Sequence, residues 1–130
     1  MLELTINDVV YSFHFGMGFM REINKKVGIP VDGIKDVTKN VGLQYTVGCV
    51  LDGDVEALVD ILDAANKSQN PRVTRALLDS YIDSEDTNID ALFDVVIDFL
   101  RGANATKKAV AQMIDAYQEA KKNRQQEAPA

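Results

Sequence analysis

Cysteine and histidine occur once each in these 130 residues, as Cys49 and His14, and tryptophan is absent. A single cysteine excludes an internal disulfide and fits a reducing cytoplasm. One cysteine and one histidine cannot supply the roughly four ligands of a structural zinc. As a nucleophile and base they would need a third group to orient the histidine, and none is evident; a lone helical cysteine reads as a small buried apolar side chain. No apolar run approaches the roughly 20 residues of a membrane span. The opening Met1-Leu2-Glu3 reads as a native start without the basic-then-apolar pattern of a signal peptide. No membrane partner is therefore expected.

Basic residues are scarce where acidic ones are dense. Residues 1–50 balance at five acids and five bases, residues 51–103 hold twelve acids against four bases, and residues 104–130 hold three acids against five bases, which together give the net charge of −6. An acidic middle repels phosphate backbones, so nucleic acid is excluded as an expected partner. The 46% apolar content is enough for one folded core.

What is there reads as a short β segment followed by helices. Leu2-Glu3-Leu4-Thr5-Ile6 alternates apolar and polar, Asn7-Asp8 suits a tight turn, and Tyr11, Phe13 and Phe15 share one face of a second strand. From Met17 the period turns helical through Phe19, Met20, Ile23 and Val27, and Gly28-Ile29-Pro30 is read as its end. Residues 28 to about 36 are read as a loop, and a second helix is expected from about Val37 to Leu51. Asp52-Gly53-Asp54 supplies a cap for a helix carrying Val55, Leu58, Val59, Leu62 and Ala65. Pro71 is placed in the first turn of a fourth helix that runs to about Asp83. Thr87-Asn88-Ile89-Asp90 resembles a capping box ahead of the strongest stripe, Ile89, Leu92, Phe93, Val96 and Leu100. Gly102 closes that helix, and Asn104 or Thr106 caps a last one with Ala109, Val110, Met113, Ile114 and Tyr117 on its apolar face. The expected fold is mainly α: one domain over 1–120, with a β-hairpin at 1–15 and a compact bundle of about six helices at 17–120. Residues 121–130 are expected to form a disordered tail.

Two patterns that elsewhere bind ligands fall short here. Gly16-Met17-Gly18 has neither a third glycine at Arg21 nor a following Lys-Ser/Thr, and no parallel sheet surrounds it, so it reads as a strand-to-helix turn. Asp83, Glu85, Thr87 and Asp94 take calcium-loop positions, as do Asp52, Asp54, Glu56 and Asp63. The glycine required at the sixth position is Asn88 in one and Ala57 in the other. Asp-rich helix starts are explained by capping and by the helix dipole. No catalytic residue, cofactor, nucleotide or metal is expected.

The remaining candidate is a face. Asp90, Asp94 and Asp98 recur at i, i+4 and i+8, opposite the apolar stripe, with Asp79 and Asp83 able to extend the row. They form either a solvated surface or a docking face for a basic partner. Met17, Met20 and Met113 are side chains able to repack around varied partners or to fill the core.

The segment LELTINDVVYSFHFGMGFMREINK, continuing through IPVDGI, resembles the opening of the tail assembly chaperones of long-tailed phages and prophages of Gram-positive bacteria. VGLQYTVGCVLDGDVEALVDILDAAN, NPRVTRALLDSYID and FLRGANATKK follow in the same order, so the resemblance spans about residues 2–120. It implies a small non-enzymatic helical protein of the host cytoplasm. Such a protein binds the tape measure protein, keeps it soluble, promotes polymerisation of tail tube protein around it, and is absent from the mature virion. It further implies that this chain is the short form beside a longer frameshifted one, and a homo-oligomer is expected through the hairpin or apolar helix faces. The family supplies no catalytic residues. A small helical connector of the virion is the rival expectation, separable by mass spectrometry of purified particles.

Overall fold

Asn7 and Asp8 both take positive φ, 51° and 65°, and so form the two-residue turn that matches the twist of an antiparallel pair. A computed structural model describes residues 1–127, with side chains as far as residue 123. In it β1 (Leu2–Ile6) pairs with β2 (Val9–Phe13), with Leu2 opposite Phe13 and Ile6 opposite Val9. The inward face carries Leu2, Ile6, Tyr11 and Phe13, all buried. Six helices follow: α1 (Met17–Asn24), α2 (Gly42–Leu51), α3 (Val55–Asn66), α4 (Arg75–Asp83), α5 (Ile89–Gly102) and α6 (Lys107–Glu127). The expected hairpin and six helices are present, and the chain is mainly α.

The middle of the fold is α3. Leu58, Ile61 and Leu62 are fully buried, with Ala57, Val59, Ala64 and Ala65 nearly so, so apolar side chains cover more of α3 than one stripe. A helix buried on several sides lies between other elements, and α3 touches α1, α2, α4 and β2. Phe15 seals the hairpin end of this core, edge-on to Phe19 at 5.2 Å and tilted against Phe99 at 5.9 Å. The outer edge of β2 also meets α3. His14 N donates to Ala65 O at 2.9 Å, and the Asn66 carboxamide donates to Ser12 O at 2.9 Å. The C-terminal end of that edge is therefore covered within the chain, while Val9 and Val10 stay exposed.

Several boundaries differ from expectation. The stretch read as a loop and a helix start is a second hairpin, β3 (Gly28–Pro30) with β4 (Thr38–Asn40), whose tip uses positive φ at Gly33 and Asp36. Val37 belongs to this arm and not to a helix. α2 starts only at Gly42, where Leu43 N donates to the Asn24 side chain at 3.3 Å. Because α1 ends at Asn24, Val27 and Gly28 lie beyond it. Pro71 precedes α4 by several residues, and Thr74 is the cap, accepting from Leu77 N at 3.1 Å. Asn88, not Thr87, caps α5, accepting from Ala91 N at 3.0 Å, while the Thr87 hydroxyl donates backward to Tyr81 O. Thr106 precedes α6 but is fully buried, and its hydroxyl donates to Leu100 O at 2.6 Å, satisfying an end carbonyl of α5. The segment expected to be disordered from residue 121 is helical through Glu127; the rest of that expectation, residues 128–130, lies outside the described residues.

Candidate functional site

Asp90, Asp94 and Asp98 are all exposed along one side of α5. The pattern is wider than those three. Between residues 76 and 100 the chain has seven acids and no base, and Asp79, Asp83, Glu85 and Asp86 are exposed as well. Arg101, three residues beyond Asp98 on α5, is exposed and among the described residues joins no ion pair, whereas the bases before α4 and at its start are committed elsewhere. Lys67 pairs with Glu22 at 2.6 Å, Arg72 with Asp63 at 2.9 Å, and Arg75 with Asp60 at 2.9 Å and Asp63 at 3.6 Å. The hydrogen bond to Asp60 pushes the Arg75 guanidinium further above its ordinary range, so it remains a cation fixed on α3. Among the described residues none of the seven α4–α5 carboxylates joins an ion pair.

Local energetics do not account for the row. Asp90 sits in the first turn of α5, where a carboxylate is favourable against the helix dipole. Asp94 and Asp98 repel it and each other at i, i+4 spacing, and Asp98 approaches the end where the dipole opposes an anion. Asp94 thus weakens the helix that carries it, while Asp98 has Arg101 at i+3 to offset its repulsion.

Two depressions flank α5. One, of about 570 Å³, lies between β1 and the α4–α5 corner; Leu4, Tyr81 and Val95 share its lining with polar side chains, Ser80, Ser84 and Thr87 among them, and Asp86. The other, of about 690 Å³, lies at the far end of α5, lined by Met1, Phe15, Met17 and Phe99, with Asp98 at its rim. Met17 is 47% exposed there, whereas Met20 and Met113 are half-buried against the core. Of the methionines read as adaptable, Met17 is therefore the one free to meet a partner. The sequence reading missed both depressions, because they depend on how β1 and the start of α1 pack beside α5.

His14 is exposed at the second depression, and Cys49 is half-buried on α2 against the core. Gly16 is the extended cap residue of α1, its carbonyl accepting from Met20 N at 3.0 Å. Of the acids placed in calcium-loop positions, Asp54 caps α3 through Ala57 N, and Asp63 holds Arg72 and Arg75. Among the described residues no group of three or more His, Cys, Asp or Glu side chains could hold a metal ion, and no helix is long and apolar enough to cross a membrane.

Comparison with curated proteins and with solved structures gives no match. The model of one protein family, described as phage tail assembly chaperone protein, TAC, matches residues 3–115. The matched span takes in the hairpin, the arm, helices α1 to α5 and the packed half of α6. The chain therefore belongs to the phage tail assembly chaperone family.

Proposed function

We propose that this chain is a non-enzymatic chaperone that holds the tape measure protein during tail assembly in the host cytoplasm, presents it to tail tube protein, and stays out of the finished virion. Membership of the tail assembly chaperone family supports the role. The observation that carries the mechanism is the unneutralised acidic side of α5, which ends at the depression formed by Phe15, Met17 and Phe99. A chaperone for a long aggregation-prone helical chain needs to cover apolar side chains without trapping them. Carboxylates along α5 attract Lys- and Arg-bearing turns of the client and speed encounter, while the apolar depression receives its anchor side chains. Methionine at that position adapts to anchors of different shape.

Kinetics separate the two parts. The triple change Asp90→Asn, Asp94→Asn and Asp98→Asn should slow association with the tape measure protein about tenfold at low salt and leave dissociation nearly unchanged. Met17→Glu should do the reverse, because lost packing acts mainly on dissociation. Biolayer interferometry of the tape measure protein against both variants tests this. Equal on-rates for the triple variant and the parent would remove the acidic mechanism, and absence of binding by the parent would remove the reading itself.

A further inference from the structure

The two edges of the first hairpin are finished differently. On β2, Ser12 O accepts from the Asn66 carboxamide and His14 N donates to Ala65 O, so these backbone groups turn away from β1. Antiparallel pairing alternates residues whose backbone groups turn toward the partner strand with residues whose groups turn away. Glu3 stands opposite Ser12 and Thr5 opposite Val10, so Glu3 and Thr5 turn their N–H and C=O groups to the outer edge of β1. Among the described residues no hydrogen bond reaches those four groups. Both residues are exposed. The usual guards of a free edge are missing: β1 pairs in unbroken register without a bulge and holds no proline or lysine. Glu3 is its single charge.

This edge borders the depression of about 570 Å³, whose lining includes Leu4, Thr5, Tyr81, Ala91 and Val95. That volume falls among the roughly 300–1,000 Å³ of clefts that hold a ligand. Polar side chains on the opposite wall are committed to their own backbone. The Thr87 hydroxyl donates to Tyr81 O, Asn88 Oδ1 accepts from Ala91 N, and Ser84 Oγ accepts from Asp86 N. The hydrogen-bonding groups left open are mainly those of the β1 backbone, and they repeat along a line. Another extended chain matches such a row. We propose that the outer edge of β1 receives an extended segment of a partner protein as a third strand, with apolar residues alternating with Lys or Arg. Its apolar side chains lie over Leu4, Tyr81 and Val95, which are half-buried. Its basic side chains stand on the other face beside Glu3, with Asp86 across the groove. Charge also rejects a second copy of β1, which would bring Glu3 of one chain against the acids of the next. The site is separate from the Phe15, Met17 and Phe99 depression and does not rest on the chaperone reading.

A fluorescein-labelled peptide of alternating valine and lysine, titrated with the full chain and read by anisotropy, tests this. The parent should bind the peptide saturably. Peptides N-methylated on every lysine or on every valine separate strand addition from charge and apolar attraction. Successive N–H groups of a strand point to opposite edges, so one set faces β1 and the other faces away. Methylated lysines should weaken binding about tenfold or more, and methylated valines should not, if the added strand is antiparallel; a parallel strand reverses the pair. In the chain, Thr5→Pro removes an outward N–H at an edge position that tolerates proline, and should weaken binding about tenfold or more. Ala91→Arg fills the groove from an exposed helix position and should do the same, which keeps the test independent of how well Thr5→Pro folds. Failure of the parent to bind, equal loss with both methylated peptides or with neither, or an Ala91→Arg chain that binds like the parent would overturn the proposal. Release of the peptide as chain concentration rises would assign the edge to a second copy and overturn it too.

Discussion

Asn66 is fully buried at the end of α3 and uses its whole carboxamide. The nitrogen donates to Ser12 O at 2.9 Å and to Pro71 O at 3.2 Å, and the oxygen accepts from Val73 N at 2.6 Å and Arg72 Nη1 at 3.0 Å. One side chain thus ties the hairpin, α3 and the α3–α4 loop together. Asn66→Ala leaves Val73 N buried without a partner and should cost about 3 kcal/mol, lowering the melting temperature by on the order of 10 °C. Asn66→Asp keeps the acceptor and loses both donors, so its loss should be similar, and thermal melts of both variants check this. Gly42 is constrained by space. A Cβ there would lie 2.0 Å from Ile23 O and 2.8 Å from Asn24 O, both backbone atoms. Gly42→Ala must therefore separate α1 from α2 and should destabilise by about 2–3 kcal/mol, whereas Gly102→Ala, which meets nothing within 4 Å, should not. Neither role is announced by composition. Asn66 does stand one turn after Leu62 on a core-facing stripe, and a polar residue at such a position is the signal that could have found it.

At the scale of elements, sequence periodicity located α3, α5 and the first hairpin because each buries a regular apolar face: Leu58 and Leu62, Leu92 and Val96, Tyr11 and Phe13. It failed where the face is missing. The arm has no buried side to impose a period of two, so Val37 and Val41 read as the start of a helix. Thr87 and Asn88 are both good caps, and only the hydrogen bond from Thr87 to Tyr81 O decides between them. The acidic row was legible in full, since spacing alone puts Asp90, Asp94 and Asp98 on one side. Its unneutralised state was not, because that depends on Arg72 and Arg75 folding back onto α3. The triple Asn change should leave the melting temperature unchanged or raise it slightly, because it relieves repulsion along α5. A clear fall in melting temperature would assign the row a folding role instead. A second tie between elements is pH-dependent. The hydrogen bond from Lys67, with Lys25 adding charge, holds the Glu22 carboxyl below its ordinary value of 4.5. A carboxyl lowered on folding contributes stability that is complete above its unfolded value and lost as pH falls through the folded one. Lys67→Met should therefore reduce stability at neutral pH by under about 1 kcal/mol, as expected of an exposed pair, and in acid titration melts the difference from the parent should shrink as pH falls below 4.5 and disappear once Glu22 is protonated in the folded parent.

The whole molecule joins a rigid middle to two uncommitted surfaces. Core side chains of α3, the hairpin and the aromatic cluster fix the body, while the acidic side of α5 and the basic apolar arm are exposed at a cost the fold does not require. Both are open to partners, as the proposed function requires. Co-expression with a cognate tape measure protein, followed by the soluble fraction of that protein, tests this most directly. The parent chain should keep the tape measure protein soluble and copurify with it at low salt. The Asp90, Asp94 and Asp98 triple Asn variant, present at equal level and equally folded, should leave most of it in the pellet. A tape measure protein that is as insoluble with the parent chain as without it, or as soluble with the triple variant as with the parent, would contradict the account.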